Sequence, residues 1–312
     1  MPWKENYTAS DEVTLFDDEV RWPEGRRCCV VVNVDLSLAS GAEGLNARDL
    51  RGDRALFGLH EGMAQLRAVL DRFDMKATFT VPAVMARMLG DTLRELALQG
   101  HEIAAHGFKH EDVSTLDRAE EKARMALTTE ILTEVLGKRP QGWYSLPRQS
   151  DPFAVGTISP HTAELLIEAG YSYMGNSLSD DIPHYWVADF GNRQAILTMP
   201  YFYHFDDQFF LLFPSKGTGL EHADTLFANW RAEFDAQYKR GRHFHMTLHP
   251  HAVGWCNRIK LLEDFFNHIR SRPGVWNPTA GQCADYWLET YPASTHLRLE
   301  ESIWQDYPGS LS

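Results

Sequence analysis

Two histidines four residues apart, His106-Gly-Phe-Lys-His110, carry the spacing in this chain that points most directly to chemistry. One helical turn brings such a pair to one face, where both imidazoles can share a divalent cation and a carboxylate such as Asp35 can supply a third ligand. Spacing alone says little in a chain with 14 histidines, so position has to add to it. Asp35, His106 and His249 each follow a short apolar run of strand type, and C-terminal strand ends carry the chemistry in (β/α) barrels. A cation held there polarises a carbonyl and lowers the pKa of water. His249, with an imidazole pKa near neutrality, can protonate a departing nitrogen.

The elements that must position these residues are legible as alternating patterns. Residues 28–34 (CCVVVNV) read as a strand buried on both faces, ending at Asp35. Met63, Leu66, Val69 and Leu70 predict a helix over 62–73, followed by a strand at 77–81. A helix runs from Met85 toward Gly100, and a short strand at 102–105 ends at His106. Ala119, Ala123, Leu127, Ile131 and Val135 step by four toward a stop at Gly137. A strand at 142–146 comes next, then a helix opened by Ser159-Pro160 and closed by Gly170. Further strands are expected at 196–199, 209–213 and 244–248, and helices at 222–238, 258–269 and 279–286. Strands alternating with helices at this rhythm predict α/β architecture in a single domain, with no proline- or serine-rich linker to divide it. The expected organisation is an N-terminal arm over 1–26, the fold proper over 27–295 and a C-terminal tail over 296–312.

Composition narrows the function. With 44% hydrophobic and 23% charged residues, the 312-residue chain is globular. Its net charge of −13, from 30 basic and 43 acidic residues, disfavours a nucleic-acid partner. No apolar run approaches a membrane span and the start lacks a secretory pattern, so a cytoplasmic location is expected. Cys28, Cys29, Cys256 and Cys283 form no CxxC pair, and are expected to be reduced, structural thiols.

Trp22-Pro23-Glu24-Gly25, Val34-Asp35, Lys76-Ala77-Thr78-Phe79, the run from Gly100 through His106 to His110, and Leu248-His249-Pro250-His251 follow one another in the order seen in the polysaccharide deacetylase superfamily, which the chain resembles over most of its length. The resemblance implies a distorted, incomplete (β/α) barrel of the polysaccharide deacetylase type that hydrolyses non-peptide C–N bonds at an Asp-His-His centre. Gly142-Trp143-Tyr144, Ser159-Pro160-His161-Thr162 and Asp180-Asp181-Ile182-Pro183 look most like the cytoplasmic allantoinase-like, cyclic-imidase-like and intracellular deacetylase-like branch. That branch implies a small amide, imide or N-acyl substrate and a homo-oligomer, a tetramer. The arm strengthens the second expectation, since its polar sequence shows no obvious docking site on its own domain.

On this resemblance Asp35, His106 and His110 hold a divalent ion, with zinc best suited to the set. His249 is the catalytic acid, and Arg148, Trp143, Tyr144 and Asp181 contact substrate. One position departs from the many family members that carry an aspartate base: here it reads Asn33, which takes no proton near neutrality. Glu111 and Asp112, beside His110, are the nearest replacements the sequence offers. Asn33 also keeps two other readings open, a metal-independent allantoinase-like ureide hydrolase and an inactive carbohydrate- or metabolite-binding homologue.

Overall fold

The buried β-branched runs assemble into one twisted sheet. A computed structural model describes residues 12–39, 41–114, 116–144, 158–177, 179–202, 205–208 and 222–299. Its strands are β1 (Cys28–Asp35), β2 (Ala77–Val81), β3 (Glu102–Ala105), β4 (Gly142–Tyr144), β5 (Tyr173–Ser177), β6 (His184–Asp189), β7 (Gln194–Pro200), β8 (His243–Leu248) and β9 (Val275–Trp276). They lie in the order β6-β7-β5-β4-β3-β2-β1-β8, with β9 added to the start of β1. Every pairing is parallel except β6 with β7. The edge strands β6 and β8 are not hydrogen bonded to one another, so this is the expected α/β fold in the form of an open, incomplete barrel.

Among the described residues seven longer helices accompany the sheet: α1 (Met63–Arg72), α2 (Gly90–Leu98), α3 (Arg118–Leu136), α4 (Thr162–Ala169), α5 (Ala223–Arg240), α6 (Cys256–Arg270) and α7 (Ala280–Thr290). Local chemistry sets their ends. Asp117 caps α3 by accepting the Glu120 N–H at 2.8 Å, and Gly137, at φ 71°, ends it in the left-handed conformation that costs glycine little. Thr279 and Gln282 form a capping box on α7. Ser159 and Pro160 build a turn rather than the first helical residues, because the Ser159 hydroxyl accepts the His161 N–H at 2.9 Å and α4 begins only at Thr162.

Strand side chains alternate between two environments. Cys28, Val30, Val32 and Val34 of β1 join a large apolar layer under the helices, with Leu66, Leu70, Phe244 and Phe265. Cys29 and Val31 face the barrel interior, with Tyr144, Tyr173 and Trp287. The β5, β6 and β9 strands lacked a sequence signal because they are short, or interrupted by Gly175 and by polar residues. The expected strand at 209–213 lies outside the described residues.

The arm has a docking site after all. Leu15, Val20 and Trp22 are buried, the Trp22 indole N–H donates to Gly241 O at 2.9 Å, and the Val13 N–H donates to Arg298 O at 2.7 Å. Residues 13–22 thus cover the N-terminal end of β8, which removes the arm as an argument for subunit contact. Among the described residues no helix is long and apolar enough to cross a membrane.

Candidate active site

Register brings the site together. Val34 pairs with Leu248 and Asp35 with Thr80, so the loop residues that follow β8 and β3 meet the end of β1 at one rim. Asp35, His106 and His110 offer ligand atoms that all lie within 4.8 Å of one another. His106 Nε2 stands 3.2 Å from Asp35 Oδ2 without the alignment of a hydrogen bond, as two groups aimed at a shared third point would. The His106 and His110 rings meet edge to face at 4.2 Å. Both nitrogens of His106 and Nδ1 of His110 are buried and unpartnered. Buried polar atoms are ordinarily satisfied, so this set of orphaned ligand atoms around a carboxylate fits a divalent cation. Burial keeps His110 neutral, well below the usual imidazole pKa, which leaves its lone pair free.

The loop carrying these ligands is held by Glu111. Its Oε2 accepts the Lys109 N–H at 2.7 Å and its Oε1 pairs with Arg124 at 3.0 Å. Between those two residues His110 adopts φ 57°, a left-handed conformation uncommon for a side chain of its size. Both oxygens of Glu111 are therefore committed to shaping the ligand loop, and the expectation of Glu111 as the base gives way to this positioning role. Asn33, on the same face of β1 as Asp35, leaves its buried Oδ1 unpartnered. It stands as an open acceptor beside the ligands.

His249 is oriented by residues the sequence did not single out. Its Nδ1 lies 2.7 Å from Asp207 Oδ1, while its backbone N–H donates to both Asp207 oxygens at 3.0 and 2.9 Å. Asp206 Oδ1 is 3.7 Å from the same ring nitrogen, and Tyr201 donates to Asp206 Oδ2 at 2.5 Å. With Nδ1 occupied, Nε2 points at the metal-ligand cluster, 3.6 Å from Asp35 Oδ2. Burial works against a charge on His249, but Asp206, Asp207 and Asp35 together outweigh it and hold its pKa well above the ordinary value. Burial likewise opposes the charge on Asp35, yet His106 and His249 keep its carboxyl well below the usual range. On the outer side, Arg54 approaches His251 Nε2 at 2.7 Å and Gln208 Oε1 at 3.0 Å. The Asp206-Asp207 doublet follows an aromatic run with no helix or strand period, and that absence of pattern hid it.

The substrate contacts expected from motifs do not gather here. Trp143 packs in the helix-facing layer, edge-on to Tyr171 at 5.4 Å. Tyr144 faces inward but lies with Tyr173, whose hydroxyl donates to Glu102 at 2.9 Å, at the start of β3 rather than its His106 end. Asp181 accepts from Arg240 at 2.9 Å and from Arg242 Nε at 2.7 Å. Arg242 precedes β8 and His249 follows it, so Asp181 sits roughly 20 Å away along a six-residue strand. Asp181, in the turn before β6, is held at that end by Arg240 and Arg242. Arg148 lies outside the described residues.

Comparison with known proteins agrees with this geometry. The family model for polysaccharide deacetylase matches residues 55–174, a segment that includes His106 and His110. The peptidoglycan deacetylase of Helicobacter pylori is 23% identical over 292 residues, covering 84% of this chain and 97% of its own. Among solved structures, a putative polysaccharide deacetylase from Mycobacterium smegmatis superposes with a TM-score of 0.73 at 25% identity, covering 95% of this chain and 99% of that one. The Puue allantoinase shares the fold with a TM-score of 0.72 at 24% identity, over 87% and 93% of the two chains. With the ordered motifs, the open barrel and the Asp-His-His cluster, these likenesses make the chain similar to polysaccharide deacetylases, in sequence over residues 55–174 and in fold over most of its length.

Proposed function

We propose that the protein is a metal-dependent hydrolase of a small amide, cyclic imide or N-acyl compound, with Asp35, His106 and His110 as ligands of one divalent ion, zinc by preference. The observation that carries this reading is convergence. His106 Nε2 and His249 Nε2 both aim at one oxygen of Asp35, at 3.2 and 3.6 Å, while Asp207 holds the other nitrogen of His249. An ion bound at the three ligands supplies Lewis acidity toward the scissile carbonyl and acidifies water.

The chain's own residues supply the rest. His249 donates its Nε2 proton to the departing nitrogen, which otherwise leaves as a poor amide or amine anion. Asp207 fixes the ring so that this proton faces the reacting bond, and its charge, with that of Asp206, sustains the imidazolium beforehand. Asn33 accepts a hydrogen bond from water or from a substrate N–H through its open Oδ1, and takes no proton. We place the protein in the cytoplasm and expect a homo-oligomer on the branch resemblance alone. Light scattering that finds a 35.6 kDa particle across the micromolar range would refute the second point.

Turnover and metal content together test the proposal. Untagged protein is assayed against cyclic imides, ureides, N-acyl amino compounds and N-acetyl sugars. His106→Ala and His110→Ala are expected to lose one equivalent of metal and the activity. Turnover that persists in metal-free protein establishes the ureide-hydrolase reading instead, and no turnover with retained ligand binding establishes an inactive homologue.

A further inference from the structure

The same two strands that carry Asp35 and His249 at one end bring a second set of ligating groups together at the other. Cys29 pairs in register with His243 across β1 and β8, and α7 delivers Cys283 against them. Cys29, His243 and Cys283 are fully buried, and their sulfur and nitrogen atoms lie within 4.8 Å of one another. The two Sγ atoms are 3.8 Å apart. Neither nitrogen of His243 has a partner, although the ring is wholly enclosed. Trp22 of the arm covers it, with ring centroids 6.4 Å apart, and Trp22 in turn packs on Trp287 at 5.6 Å. The reaction described above uses none of these groups.

We propose that Cys29, Cys283 and His243 form a structural zinc site where β1 and β8 begin, at the end of the sheet opposite the Asp35, His106 and His110 centre. Three physical points favour zinc. A Zn–S bond of about 2.3 Å at a tetrahedral angle places two sulfurs about 3.8 Å apart. A disulfide needs the same atoms to close to about 2.05 Å. Two thiolates and a neutral imidazole also cancel the charge of Zn²⁺, so the assembled complex is neutral and avoids much of the cost of burying a bare ion. Binding replaces each S–H by S–Zn and releases two protons. His245, next on the same face of β8 and with its Nδ1 unpartnered, lies outside this close cluster, its ring centroid 6.2 Å from that of His243. Because all three residues are fully buried among the described residues, the ion is taken up as the chain folds. It then ties α7 and, through Trp22, the arm to the sheet.

Full-length untagged protein expressed with cobalt in place of zinc tests the site. Thiolate-to-cobalt charge transfer in the near ultraviolet is expected, because one of the two centres contains sulfur and the Asp-His-His centre has none. The double variant Cys29→Ser/Cys283→Ser is expected to lose that band and to fall from two equivalents of metal to one, retaining the equivalent that His106→Ala removes. Where the double variant does not fold, X-ray absorption of the zinc-loaded parent decides, and a sulfur shell at about 2.3 Å supports the proposal. No sulfur shell or charge-transfer band overturns it, as does an intact mass two hydrogens short, which identifies a disulfide. Failure of the catalytic centre to bind metal leaves both readouts intact, since they report sulfur ligation alone.

Discussion

Asp207→Asn removes the negative charge behind His249 with minimal change of shape. In the parent, Asp207 makes a 2.7 Å contact with Nδ1 and accepts the His249 backbone N–H with both oxygens. Asparagine retains one oxygen for that backbone contact, so the loop is expected to keep its path. What is lost is a charge-assisted hydrogen bond, worth about 1.5–3 kcal/mol. If the imidazolium is the proton donor, that energy is withdrawn as the C–N bond breaks, and kcat falls about 10- to 150-fold. KM and metal content stay near parent values. The assay is steady-state turnover on the best substrate of the panel, with metal analysis and a melting curve on the same preparations. Unchanged kcat in a correctly folded variant would refute Asp207 as the partner that readies His249. Parallel loss of metal, stability and rate would show Asp207 to be a structural carboxylate only.

Arg242, 3% exposed, meets Asp17, Asp180 and Asp181, and its replacement by alanine takes the cation from the largely buried Asp180 while Arg240 still pairs with the other two. Arg242→Ala is expected to cost about 3 kcal/mol in denaturant unfolding while activity per folded molecule is kept; equal loss of activity and stability would restore Asp181 to the active site. Burial raises the Glu12 carboxyl to about 8 from 4.5, and Glu12 accepts the Tyr185 N–H. The folded state therefore favours the proton, and this contribution to stability is complete below about pH 4.5 and is lost as pH rises toward 8. Melting temperature between pH 5 and 8 is expected to fall less steeply in Glu12→Gln than in the parent, and identical slopes would exclude Glu12 as the source. A Cβ on Gly142 would lie 2.1 Å from Tyr173 Cζ, so Gly142→Ala is expected to destabilise the barrel by about 1–3 kcal/mol, which urea titration measures.

The parts of this molecule written in short-range pattern were legible in sequence. The runs at 77–81 and 102–105 are strands with the expected limits, and the helices ending at Gly137 and Gly170 stop where the punctuation says. Asp35, His106, His110 and His249 meet because each lies at or just beyond a strand end, which periodicity reveals. Motif likeness misplaced Trp143, Tyr144 and Asp181, because it reports that a segment exists without its face or its height along the barrel. Trp143 and Tyr144 are neighbours on one strand and point to opposite sides of the sheet. Asp207 escaped notice since its partner is 42 residues away and nothing local marks it. Cys29 and Cys283, 254 residues apart, are joined only by the packing of α7 under β1.

The interior face of β8 carries His243, His245 and Thr247, with His249 next in the alternation, and offers no aliphatic side chain to the barrel. Its other face places Phe244, Met246 and Leu248 in the layer beneath the helices. The strand thus divides its obligations, packing the apolar layer with one side and presenting ligating and proton-carrying groups with the other. Substitutions among the inward residues forfeit little apolar burial, so what they change is ligation and proton transfer rather than the hydrophobic layer. A barrel organised in this way can diverge in chemistry along a single strand while its outer layer stays fixed.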